Sequence, residues 1–270
     1  MNQTLPLPQM RLQRATGEVR ASWHLVNGQV RLDRLRQQGS AKAIPLPGPE
    51  VVILNTSGGI TGGDHLSINL DVGAGCRLTA TTQTAERLYR ASEGIGRMEV
   101  NLTVGQGGHL DWLPQETIAF QGSNTHRTTR ITLAENATCL ACETLVLGRT
   151  AMGETVIQAQ LRDWREVTRG TTPLYIDPLV LDAKRLEDSA AGLAGAKVVA
   201  SVIMIAPNVQ DALGPLRATF TDDAVTAGAS AFEGKLTLRL LGPDAWPVRK
   251  QMIRILNVLR KGALPRVWQT

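Results

Sequence analysis

Aromatic residues make up only 4% of this chain, and cysteine occurs three times in 270 residues. Three is an odd number for a disulfide framework, and Met1 to Gln13 lacks the continuous apolar core of a secretion signal. The longest apolar stretch, Val198 to Ala206, is interrupted by Ser201 and is far too short to cross a bilayer. The expectation is a reduced, soluble, cytoplasmic protein.

Catalytic motifs are missing too. There is no Gly-x-Ser-x-Gly elbow, no His-Glu-x-x-His among His24, His65, His109 and His126, and no phosphate loop. Asp64 stands where a phosphate loop would place its lysine. Cys139-x-x-Cys142 lacks the second cysteine pair of a zinc site. On a strand, side chains three apart also point to opposite faces, so these two thiols would not converge. The net charge of +5 permits an acidic partner but concerns association, not fold.

What is abundant is glycine, 26 residues, with frequent threonine, which suits many short strands and turns better than a helical bundle. The least accidental stretch runs from Leu54 to Asp64, where Gly58-Gly59 and Gly62-Gly63 imply backbone with positive φ or very close approach. Val51 to Leu54 reads as a buried strand entering this structural loop and Leu66 to Val72 as one leaving it. Upstream, Glu18 to Leu25 and Gln29 to Leu35 form a hairpin through Asn27-Gly28. Residues 1–15 read as a flexible arm, and residues 39–50, with three prolines, as an extended lead into the loop.

The chain then repeats itself. Val72 to Leu78 matches Val104 to Leu110 and, more weakly, Leu133 to Cys139, with starts 32 and 29 residues apart; Gln83 and Gln115 keep the same spacing. Strand-turn-strand units at a near-constant period predict a mainly β superhelix of stacked coils or repeated hairpins. Further strands are expected at 143–149, 156–165, 179–181, 197–206 and 235–241. Pro207 to Leu216 reads as a short helix, and 244–262 as a C-terminal helix started by Asp244 and Pro247. Its apolar stripe is Val248, Met252, Ile255, Leu256 and Leu259; its other face carries Arg249, Lys250, Arg254, Arg260 and Lys261. Asp64, Asp111, Glu116, Glu143 and Asp177 sit among apolar residues, glycine or proline, where a carboxylate must be paired, hydrated or metal-bound. Arg87, Arg130 and Arg149 are the expected structural partners.

Leu-Asn-Thr-Ser-Gly-Gly-Ile-Thr-Gly-Gly-Asp at 54–64, Thr-Thr-Gln-Thr-Ala at 81–85, Leu-Pro-Gln-Glu-Thr-Ile-Ala-Phe at 113–120, Leu-Gly-Arg-Thr-Ala-Met-Gly-Glu at 147–154 and Pro-Arg-Val-Trp-Gln-Thr at 265–270 together resemble the urease accessory protein D (UreD) family. Thr56-Ser57 departs from the family's usual Pro-Gly. The resemblance spans nearly the whole chain and implies one nonenzymatic domain, a β-helical superhelix with two helices toward the C-terminus. It implies binding of apo-urease and of the F-type accessory protein, which recruits the G-type GTPase. Nickel would pass transiently through an internal tunnel, with no tightly bound cofactor. Asp64, Glu116, Glu143 and Asp177 match the family's acidic positions for that path, and Met252, Arg254, Ile255 and Leu259 are expected at the accessory-protein surface. A polysaccharide-acting β-solenoid would need an exposed aromatic row, which five scattered tryptophans do not supply. A nucleic-acid binder would use the basic helix.

Overall fold

The computed structural model describes residues 13–187 and 192–269. The expected arm therefore lies outside the described residues up to position 12. Strands β1 (Thr16–Val26) and β2 (Gln29–Gly39) form the predicted hairpin, with Asn27 and Gly28 at φ 51° and 75°, the paired positive values that a two-residue turn on a twisted ribbon requires. The expected extended lead instead contains strand β3 (Ala41–Leu46), which pairs antiparallel with β4 (Glu50–Asn55). Pro45 is tolerated because β3 is an edge strand, where a missing N–H breaks no ladder.

The solenoid follows. Strands β5 (His65–Val72), β6 (Arg77–Thr82), β7 (Glu86–Leu88), β8 (Gly96–Val104), β9 (His109–Leu113), β10 (Thr117–Ala119), β11 (Asn124–Leu133) and β12 (Thr138–Leu147) wind between two sheets. The three sequence repeats are its turns. Val72 lies beside Val104 and Val104 beside Leu133 in one sheet, while Leu78, Leu110 and Cys139 align in the other, all in parallel register. Like residues thus stack on like, and each coil buries its apolar side on the next.

Strand β13 (Gln160–Arg169) continues the first sheet, four residues beyond the expected boundaries because it registers with the whole of β11. Strand β14 (Thr172–Leu181) closes that sheet; Pro173 and Pro178 hide it in the sequence, but an edge strand accommodates both. Strands β15 (Val198–Ile205), β16 (Thr226–Phe232) and β17 (Lys235–Gly242) extend the second sheet antiparallel; β16, rich in Ala and Gly, carries little strand signal. Helices α1 (Ala183–Leu186), α2 (Leu213–Arg217) and α3 (Ala245–Leu259) all lie late in the chain, α2 overlapping the end of the stretch expected to be helical.

Two apolar cores result. One fills the space between the sheets; the other lies on the far face of the second sheet, beneath α3 and Trp268. Asp244 starts α3 by accepting from the Trp246 N–H at 2.9 Å. Met252, Ile255 and Leu259, expected at a partner surface, are 1%, 0% and 6% exposed, because they hold the helix on the sheet. Of that expected set Arg254 is exposed. The helix's basic face is corrected as well: Arg249 pairs inward with Glu116 and Arg260 with Asp111, both at 2.8 Å.

Candidate functional site

The loop at 56–64 carries the chain from one sheet to the other, and its glycines serve two needs. Gly58 and Gly63 have φ of 79° and 88°. At Gly59 and Gly62 a Cβ would come within 2.7 Å of the Arg87 carbonyl oxygen and 2.0 Å of the Glu93 carbonyl oxygen. The loop is thereby drawn onto the neighbouring coil, with Ile60 exchanging backbone bonds with Arg87 and Tyr89. Asp64 clasps its end, accepting from the Ala15 and Thr61 N–H groups at 2.7 and 2.9 Å.

Between the sheets, beyond this loop, the interior turns polar. The inward row of β11 reads Thr125, Arg127, Thr129, Ile131, Leu133, since alternate residues share a face. Arg127 donates from Nε and Nη2 to both oxygens of Asp163 at 2.9 and 2.5 Å, and from Nη1 to Thr117 at 2.8 Å and Glu143 at 2.9 Å. Trp112 Nε1 donates to the other Glu143 oxygen at 3.2 Å. Asp163 also accepts from Arg165, which reaches Asp177 at 3.2 Å and Ser201 at 2.5 Å; Arg239 closes on Asp177 at 2.7 Å. The result is a neutral chain, Glu143–Arg127–Asp163–Arg165–Asp177–Arg239. Burial alone would raise the Asp163 pKa, but Arg127 and Arg165 outweigh it and bring it down to about 2.

A cavity of about 140 Å³ opens beside this chain, lined among others by Asn55, Gln83, Glu86, Gln115, Thr129 and Glu143. A smaller one of about 20 Å³ shares Trp112, Thr129 and Glu143 with it and continues past Arg165, Tyr175 and Ser201. The Gln115 amide nitrogen and the Thr129 hydroxyl, both buried, have no protein partner. Polar residues along the wall of a space large enough for several waters mark a hydrated cavity.

Residues 14–269 match the family described as UreD urease accessory protein. The chain belongs to that family. Proteins named Urease accessory protein UreD from Cereibacter sphaeroides and Dinoroseobacter shibae are 50% and 49% identical to it, covering 100% of both chains and 96% and 94% respectively. One from Rhizobium leguminosarum is 38% identical over 96% of each chain.

Of the four acids matched to the family's positions, Glu143 alone lines the cavity. Asp177 joins it through the ion chain, Asp64 holds the loop, and Glu116 holds α3 through Arg249, which also donates to Gln115 at 2.7 Å and lies over the Trp268 ring. Asp111 faces the same helix, bonded to His109 at 2.9 Å and Arg260 at 2.8 Å; burial opposes its ionisation, but these partners hold its pKa below the usual range. Arg87, Arg130 and Arg149, expected as partners of these acids, pair with none of them; Arg130 and Arg149 face Glu166 and Glu154. Cys139 and Cys142 fall in opposite cores, as strand alternation requires, and burial pushes the Cys139 thiol up to about 12. Among the described residues no three His, Cys, Asp or Glu side chains converge as a metal-holding group, and no described helix is long and apolar enough to cross a membrane.

Arg127, Asp163, Arg165 and Glu86 escaped the sequence reading. A signal was present for the first three: Arg127 shares strand parity with Ile131 and Leu133, and Asp163 and Arg165 share it with Leu161 and Val167.

Proposed function

We propose that this chain is a nonenzymatic urease maturation scaffold that binds apo-urease and, through the F-type accessory protein, the G-type GTPase, and that conducts nickel through its interior for GTP-dependent assembly of the urease metal site in the cytoplasm. Family membership supports the maturation role, and the relatives carry that name. The observation that carries the conduction reading is the hydrated cavity whose wall, at Glu143, is shared with a second cavity lined by Arg165, Tyr175 and Ser201. Carboxylate, amide and water oxygens bind nickel weakly enough to release it, which a cargo in transit needs. Asp64 and Glu116 contribute by fixing the loop beside that passage and, through Arg249, the Gln115 segment that lines it. The nucleic-acid alternative loses ground because two of the five helix cations are turned inward.

The test is urease activity and nickel content in cells carrying the urease cluster, with this chain deleted, restored, or restored as Glu143→Gln. Deletion should abolish nickel loading, and Glu143→Gln should leave complex assembly intact while loading falls. Normal nickel-loaded urease after deletion overturns the maturation role. Wild-type loading with Glu143→Gln overturns conduction past that residue.

A further inference from the structure

Three carboxylates line the two cavities. Glu143 faces Arg127 at 2.9 Å and Glu166 has Arg130 at 3.9 Å, but Glu86 has no ion-pair partner among the described residues. Among the described residues, its oxygens accept only from the Asn55 amide at 3.3 and 3.5 Å and from the Arg87 backbone N–H at 3.0 Å. Asn55 is itself oriented by the Gly-rich loop: its amide donates to the Gly59 carbonyl at 3.3 Å and its oxygen accepts from Ser57 at 2.6 Å. The loop therefore aims a carboxylate into the end of the cavity beside it. Burial raises the pKa of this group, with Asn55, Arg87 and Arg127 pulling the other way.

A half-buried carboxylate with no ion-pair partner is relieved by a cation that reaches it. Deeper in, the buried Glu143 already has its guanidinium, so the carboxylate that a cation entering the cavity meets without an ion pair is Glu86. Resting on the nickel-conduit reading, we propose that Glu86 is the capture site for the entering divalent cation, which it holds together with cavity waters. One carboxylate with water gives a hard, low-charge ligand set that binds and lets go. The polar residues of the same wall, among them Asn55, Gln83 and Gln115, keep water at hand for the ion's remaining coordination positions. Glu143 then acts later on the path, where the ion competes with Arg127.

Purified complexes of apo-urease, the F- and G-type proteins and the full-length chain, as wild type, Glu86→Gln, Glu86→Asp or Glu143→Gln, are supplied with Ni²⁺ at limiting and at saturating concentration, and nickel incorporation is followed in time. Glu86→Gln should slow incorporation about tenfold or more at limiting nickel, the scale of losing one contributor to a metal site. Excess nickel should restore the rate, and Glu86→Asp should keep most of it. A Glu86→Gln rate equal to wild type at every concentration, with Glu143→Gln impaired, refutes the capture site and leaves the conduit standing. Wild-type rates in both variants refute the conduit and the capture site together. A deficit in Glu86→Gln that excess nickel does not relieve, with poor recovery of the complex, assigns Glu86 a structural role and overturns the proposal.

Discussion

Along one solenoid, the inward row of the first sheet is built in two ways. In the earlier coils neighbouring strands bring together Leu66 with Met98 and Ile68 with Val100. In the later coils the same registered positions hold Arg127 with Asp163 and Thr129 with Arg165. Burial does not distinguish them, since Met98 is 7% exposed and Arg127 5%. The apolar half is stabilised by exclusion of water and needs only shape. The charged half is held by matched partners and leaves room for a cavity, an arrangement that a well-packed apolar replacement would equal or exceed in stability.

The largest effect is expected at Arg127. Arg127→Met leaves Asp163 and Glu143 without their shared counter-charge and should lower unfolding free energy by about 3–5 kcal/mol, measured by urea denaturation; a loss under about 1 kcal/mol would mean that water compensates both acids. In the apolar half, Leu102→Ala should cost about 3 kcal/mol by opening a cavity, with no dependence on pH. The same assay checks both.

Acid separates the halves further. Asp163 has its pKa lowered in the folded state to about 2, from an ordinary value of about 3.9. Its contribution is therefore complete above the unfolded value and is lost as pH falls from about 4 to about 2. Urea midpoints of wild type should fall through that window, and those of Asp163→Asn, lower at neutral pH, should fall less; parallel curves would overturn the assignment. The smallest effect is expected from Thr129→Val. Its hydroxyl has no protein partner, so stability should change by less than about 1 kcal/mol, and a larger loss would reveal a firmly bound water.

Much of the scaffold was legible beforehand. The 32- and 29-residue spacings became registered coils, Asn27-Gly28 became the hairpin turn, and the apolar stripe of α3 faced the core. That stripe also misled: Met252, Ile255 and Leu259 suit a partner groove and a sheet face equally well by pattern, and the sheet face claimed them. Strands β14 and β16 were missed in whole or part because proline, alanine and glycine weaken the strand signal where an edge position tolerates them.

What repeats and what alternates can be read along the chain, because coil register and strand parity are local properties with visible periods. Which arginine neutralises which acid was decided only by the tertiary structure. Arg127 finds Asp163 across 36 residues, Arg239 finds Asp177 across 62, and Arg260 finds Asp111 across 149. Such pairings depend on which strands become neighbours, and so does the absence, among the described residues, of an ion pair at Glu86. Local pattern cannot encode them, because a charge is compensated by whatever folding brings within a few ångströms of it.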